Sequence, residues 1–421
     1  AADIAPREPD AAQWFRAGMV ALDAHRLREA RDLFERVLQR TPDHVPSMAR
    51  RADALLQSGQ RQESLPLIRT AAARSADLPR FEQLRVEAIL AAAEHRWNDA
   101  VKHWLAVFQL DPGDLASGIR LADAQIAAGD LVGAGDTLGE LRALPTAKMH
   151  ETAFALLATR IAAARGDHSG RLEQAVLAEH HARDEYEAAQ ARIEQAWALL
   201  GLGRLEEARS LLDALEQAEG WVGARRTLIA ANIARDAGHL EDAIAGFRAA
   251  SRSAADTGDE GMAVTATTQE AFVHVQSGDM EQARSVLDAA RTRALALGLP
   301  GAEAATWDVE SLLWQRAGDR QKALDAGETA LAMYRDSGAL LGAASSANQL
   351  GGIYAQLGRF AEAEARLDAA RDLFTRLGDE RGRALALSNL AILYGRSNRI
   401  EKADEANAEA LRSFERLGMD P

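Results

Sequence analysis

The chain has 421 residues, 47% of them hydrophobic but only 5% aromatic, no cysteine, and a formal charge of −14. These values exclude a disulfide framework, a thiolate metal site and a thiol nucleophile, and the negative field opposes direct binding to nucleic acid. No apolar run approaches the roughly 18 to 20 residues that span a membrane, so a soluble chain is expected, cytoplasmic or periplasmic.

Residues 1–10, AADIAPREPD, read as a short polar tail. From residue 11 onward one pattern recurs. It appears as AHRLREARDLF from Ala24, SGQRQESLPLI from Ser58, EHRWNDAVKHW from Glu94 and AGDLVGAGDTL from Ala128. It continues as SGRLEQAVLAE from Ser169, LGRLEEARSLL from Leu202, AGHLEDAIAGF from Ala237 and SGDMEQARSVL from Ser277. The last copies are AGDRQKALDAG from Ala317, LGRFAEAEARL from Leu357 and SNRIEKADEAN from Ser397, eleven in all. The seventh residue of each copy is Ser64 or an alanine, from Ala30 to Ala403, at intervals of 34, 36, 34, 41, 33 and 35 and then 40 four times. A near-constant period of this length marks a stacked array of helix pairs. A second small residue about twelve positions earlier, such as Gly18, Ala52, Ala271 or Gly351, lets the paired helices approach. Bulky partners such as Phe34, Trp104, Phe247 and Leu367 fill the remaining space. Glycines such as Gly59, Gly203 and Gly358 turn the corner between the helices. Acids such as Glu29 and Glu206 then meet the positive end of the second helix.

The array changes style along its length. In residues 11–219 most units have 33–36 residues, several close on proline (Pro42, Pro112, Pro145), and one is longer, with RGDH ahead of its corner. In residues 220–421 the period is 40, and Gly258, Gly298, Gly338, Gly378 and Gly418 stop the second helix. The segment EQAEGWVGA marks the change, and a bend of the superhelix is expected there or at RGDH. The charge is uneven too: residues 1–100 hold 15 basic and 15 acidic groups, residues 101–350 hold 23 and 36, and residues 351–421 hold 11 and 12. The acidic middle predicts an acidic inner or flanking field suited to a basic partner.

These residues resemble the tetratricopeptide repeat family: Trp14, Gly18, Ala30, Phe34 and Pro42 stand at that family's spacing, and Ala100 with Pro112 repeats its end. The resemblance covers residues 11–417. It implies an all-α, right-handed α-solenoid of about eleven helix-turn-helix units, some 22 helices, whose first helices line a concave groove that binds peptide or protein segments. The 40-residue units are similar to those of kinesin light chains. They are also similar to bacterial sensor and regulator arrays, which follow a winged-helix DNA-binding domain or a serine/threonine kinase. The resemblance thus implies a protein-interaction scaffold or the ligand- or peptide-sensing array of a larger bacterial signalling protein, with self-association through one end as a third reading.

No enzyme is expected and no cofactor. No two histidines stand at the spacing that puts two ligands on one helix face, and neither a G-x-S-x-G elbow nor a phosphate-binding G-x-x-x-x-G-K-[ST] loop occurs. His274 reads as a packed histidine. On each first helix the second, fifth, sixth, ninth, twelfth and thirteenth positions share a face, which the family resemblance places on the concave side. That face carries Thr268, Gln269 and Gln276; then Asp308, Gln315 and Arg316; then Asn348, Gln349 and Gln356; then Ser388, Asn389 and Arg396. Amide side chains both donate to and accept from a peptide backbone, so this ladder is the expected partner-binding groove. Trp197, at an inward ninth position, is a candidate interface anchor. Asn407, where other copies carry Phe or Leu, suggests that the last helix caps the array.

Overall fold

The structure, a computed structural model, describes residues 4–24 and 26–416; the expected helix stop at Gly418 and the first three residues of the polar tail lie outside them. Six helix pairs make the first part: α1 (Pro9–Asp23) with α2 (Leu27–Arg40), α3 (Val45–Gln57) with α4 (Arg61–Ala73), α5 (Arg80–Ala93) with α6 (Trp97–Leu110), α7 (Leu115–Ala128) with α8 (Leu131–Arg142), α9 (Glu151–Ala164) with α10 (His168–His180), and α11 (Glu185–Gly201) with α12 (Leu205–Asp213). Five more follow: α13 (Gly220–Asp236) with α14 (Leu240–Thr257), α15 (Glu260–Ser277) with α16 (Met280–Leu297), α17 (Pro300–Arg316) with α18 (Arg320–Asp336), α19 (Leu340–Gln356) with α20 (Phe360–Leu377), and α21 (Glu380–Arg396) with α22 (Ile400–Arg416). These eleven pairs form an all-α solenoid, without a strand among the described residues.

The corners form as their chemistry requires. At the α19–α20 corner Gly358 takes φ +73°. Its N–H donates to the Ala355 carbonyl at 3.2 Å and that of Arg359 to Tyr354 at 3.0 Å, the closing bonds that a left-handed residue permits. His95 and Asn398 adopt the same conformation, both at φ +57°, at two corners without glycine. Asp279 and Asp379 start α16 and α21 by accepting the N–H groups of Gln282 and Gly382 at 3.1 and 2.7 Å, which satisfies donors left open by the first helical turn.

One corner departs from the sequence reading. RGDH does not precede the fifth turn but is the turn: α9 ends at Ala164, Gly166 takes φ +65°, and Asp167 caps α10 by accepting the Gly170 N–H at 2.8 Å. Ser169 and Gly170 therefore sit inside α10, because a left-handed glycine followed by a capping aspartate is a stronger helix boundary than the serine-glycine that follows.

The small seventh-position residues are buried where the paired helices cross, as at Ala30, Ala243 and Ala363, except that Ala403 of the last unit is only partly buried. Ser64 fills the same slot because its hydroxyl donates to the Ala52 carbonyl at 2.7 Å. Most odd-numbered helices pack on the next odd-numbered helix as well as on their pair partners, as α11 does on α13, α15 on α17 and α19 on α21, whereas neighbouring even-numbered helices stand further apart. Crowded helices lie on the inside of a curve, so the first helix of each pair forms the inner layer.

The curve is tight enough for the chain to meet itself. At the α3–α4 corner the Ser58 carbonyl accepts the Glu260 N–H at 3.2 Å. Arg28 donates to the Asp256 carbonyl at 2.8 Å, and Arg381 to that of Gly201 at 3.2 Å. Leu340, at the start of α19, reaches the Gly129 corner. These contacts form a seam between corners about five units apart. Among the described residues no helix is long and apolar enough to cross a membrane.

Candidate partner-binding face

The last odd-numbered helices carry exposed apolar side chains on the inner layer. On α21 the core-facing Leu387, Leu390 and Leu393 are buried. Leu385 and Ile392, seven residues apart and so on one face, remain 45% and 55% exposed. The neighbouring α19 presents Leu341, Ser345, Asn348 and Gly352 on the matching stripe, so bulky apolar residues on one helix stand beside small ones on the next. Between them the Asn389 Nδ2 donates to the Asn348 Oδ1 at 3.0 Å. This bond leaves one amide donor group and one carbonyl acceptor unused across the pair. Gln356, Arg316 and Arg396 are exposed at the ends of their helices. Neither arginine forms an ion pair among the described residues.

Other predicted residues are partly enclosed. Buried polar atoms of Gln276, Asp308, Gln315 and Gln349 lack a hydrogen-bond partner, and such atoms call for a partner that the fold does not supply. Burial raises the Asp308 carboxyl from 3.8 to about 6, against the opposing pull of the Ser346 and Tyr334 hydroxyls. The Tyr334 hydroxyl is itself held high by burial and by that carboxylate. Gln269 is engaged: Arg235 donates to its Oε1 at 2.8 Å.

Two predicted positions lie elsewhere. Thr268 is 3% exposed, its hydroxyl turned back onto the Val264 carbonyl at 2.9 Å. A β-branched hydroxyl on a crowded helix satisfies itself this way and does not reach the groove. Trp197 is half-buried and packs against the core clusters on both sides of the α11–α13 contact. His274 is buried, 3.8 Å from Glu270 and 3.9 Å from Asp279.

The inner face of the first part holds a feature that the sequence reading missed. Arg50, 3% exposed, donates to both oxygens of Glu82, 0% exposed, at 2.8 and 3.0 Å. Glu82 also lies 3.7 Å from Arg85, which bonds Asp114. Arg120 reaches Asp53 at 3.1 Å, bridging α7 to α3 across α5, and Arg160 reaches Asp123 at 3.0 Å. Guanidinium and carboxylate groups thus neutralise one another along the inner layer and occupy it. The positional count that marked the groove in the second part also puts Arg50, Asp53, Glu82, Arg85, Arg120, Asp123 and Arg160 inward. In the second part Arg225, Arg235, Arg316 and Arg396 outnumber Asp236 and Asp308 at the inner positions, so the chain's acidic surplus lies off this face.

Two family models, each described as tetratricopeptide repeat, match residues 21–87 and 342–416. No curated protein matches the chain. Among solved structures, the chain is similar to a Rap protein in complex with competence and sporulation factor, at 12% identity and a TM-score of 0.56 over 87% of this chain and 98% of that one. It also matches BtubC (BKLC) from P. vanneervenii, at 17% identity and a TM-score of 0.40 over 56% of this chain and 94% of that one.

Proposed function

We propose that this tetratricopeptide-repeat chain is a non-catalytic scaffold that holds a peptide or protein segment on the inner face of α17, α19 and α21. The observation that carries this reading is the juxtaposition of exposed Leu385 and Ile392 with the Asn348–Asn389 pair. The apolar pair takes side chains, and the free donor and acceptor of the amide pair match the C=O and N–H of one peptide unit. Arg316 and Arg396 favour a carboxylate on the segment, while the acidic surplus off this face suits basic surface beyond it. A second reading, a sensing array, draws on the seam: a ligand that alters curvature also alters contacts between distant corners.

Segments selected for binding from a displayed peptide library provide the test. Asn348→Ala with Asn389→Ala should weaken a selected segment by about tenfold, the loss expected for two hydrogen bonds, with the helical content unchanged. Unchanged affinity in the folded double variant would remove the amide pair from the site.

A further inference from the structure

In an ordinary solenoid each unit touches only its neighbours. Here the seam adds a second set of contacts along one whole edge of the second part. A Cβ added at Gly258, Gly298, Gly338 and Gly378, which follow α14, α16, α18 and α20, would meet Arg31 at 3.4 Å, Gln62 at 2.9 Å, Trp97 at 3.2 Å and Arg165 at 3.7 Å. Those four side chains belong to the first, second, third and fifth pairs, in order. The fourth pair meets Leu340 at Gly129, and the sixth is held by the Arg381 bond to the Gly201 carbonyl at 3.2 Å. The other edge of the second part is free: at the corners Gly238, Gly278, Gly318 and Gly358 nothing lies within 4 Å of an added Cβ.

Contacts that advance in order on both sides are those of two turns of one coil stacked edge to edge. Packing between successive pairs closes the wall along each turn, and the seam closes it between turns. Among the described residues the inner layer therefore lines a channel with two mouths, pinned at the side by contacts from all of the first six pairs. The stripe of Leu385, Asn389, Ile392 and Arg396 runs along α21 from its seam end toward one mouth. Exposed Arg316 and Gln356 stand where α17 and α19 lead into the free corners at Gly318 and Gly358, on the rim of that mouth. Leu385 and Ile392 are 45% and 55% exposed, so the chain's own side chains do not fill the channel there.

We propose that the inner face is entered end-first: its partner is an unfolded segment with a free terminus, threaded through the mouth that the free corners ring, and not a loop held at both ends in a folded protein. A segment blocked at both ends cannot be laid on the inner layer from the side unless the seam contacts part. This rests on the inner-face reading of α17, α19 and α21 and adds the class of segment that the face accepts.

A segment selected on the full chain tests it in three forms: with free ends, with a folded domain of about 100 residues joined to one end, and with such domains joined to both. Each joint is a flexible linker of about 20 residues, reaching about 25 Å. The free and singly joined forms should bind alike, and the doubly joined form at least about tenfold more weakly; proteolysis of one linker should restore it. The chain has no cysteine, so Gly59→Cys with Gly261→Cys, at positions that touch across the seam, gives a seam that a disulfide locks reversibly. The free segment should associate at the same rate with the oxidised and the reduced protein. Equal affinity of the free and doubly joined forms, or association that slows on oxidation, would overturn end-first entry. Leu385→Glu with Ile392→Glu separates the two readings. If the free and doubly joined forms bind alike and this variant weakens both, the inner-face reading stands and end-first entry falls; if it weakens neither, both fall.

Discussion

Single residues on the inner layer make opposite demands on pH and packing. Asp308 is held at about 6 against an ordinary 3.8. The folded chain therefore binds that proton more tightly than the unfolded chain does. Its contribution to stability is complete below the ordinary carboxyl range and is lost as the pH rises through about 4 to 6. Asp308→Asn keeps a hydrogen-bonding amide where Asn348 stands one unit later. It should flatten this decline and raise neutral-pH stability by on the order of 1 to 2 kcal/mol, seen as a higher thermal midpoint at pH 7 but not at pH 4. A variant that melts below the parent at pH 7 would assign Asp308 a stabilising charge. Glu82 has the reverse role, because its loss leaves Arg50 charged and enclosed. Glu82→Gln should cost about 3 kcal/mol, read from denaturant unfolding, whereas Arg50→Met with Glu82→Leu should recover most of it.

At the scale of elements, the corners separate local conformation from long-range contact. Gly358 turns with nothing within 4 Å of an added Cβ, whereas at Gly59, also at positive φ, a Cβ would lie 2.8 Å from the Gly261 nitrogen. Alanine at either position carries the strain of a left-handed residue, about 1 kcal/mol. Gly59→Ala should cost clearly more, and should speed proteolysis at the Asp259 corner. Equal midpoints for the two variants would mean that the seam adds nothing to stability. The helix pairs, their corners and the tight alanine contacts were legible in sequence because each depends on residues within one unit. The fifth corner was misplaced because a repeat frame was imposed on SGRLEQ, although Gly166 and Asp167 carried the local signal. The ion-pair ladder through Glu82 and the exposed stripe of Leu385 and Ile392 needed the pairing between neighbouring units as well as position, because a charge count within one unit cannot show which groups meet across units.

For the whole molecule, chemistry divides the inner surface. Toward the N-terminus, guanidinium and carboxylate groups from α3, α5 and α7 occupy it, with Arg120 bridging to Asp53 across α5. Toward the C-terminus the apolar and amide groups of α19 and α21 stay accessible. The seam joins these regions, since the corners of the early units rest on the inter-unit turns of the later ones. No pattern within a 40-residue unit encodes that return, which is why the seam was invisible in the sequence. The central claim is that a partner segment binds the inner face of the last units. The most direct test is the affinity of a selected segment for Leu385→Glu with Ile392→Glu, measured beside Leu295→Glu, an exposed leucine of the outer helix α16. The inner pair should weaken binding by at least about tenfold, on the scale of two buried apolar anchors, with the melting temperature unchanged and Leu295→Glu neutral. Full affinity in the inner double variant, or loss in Leu295→Glu alone, would contradict the account.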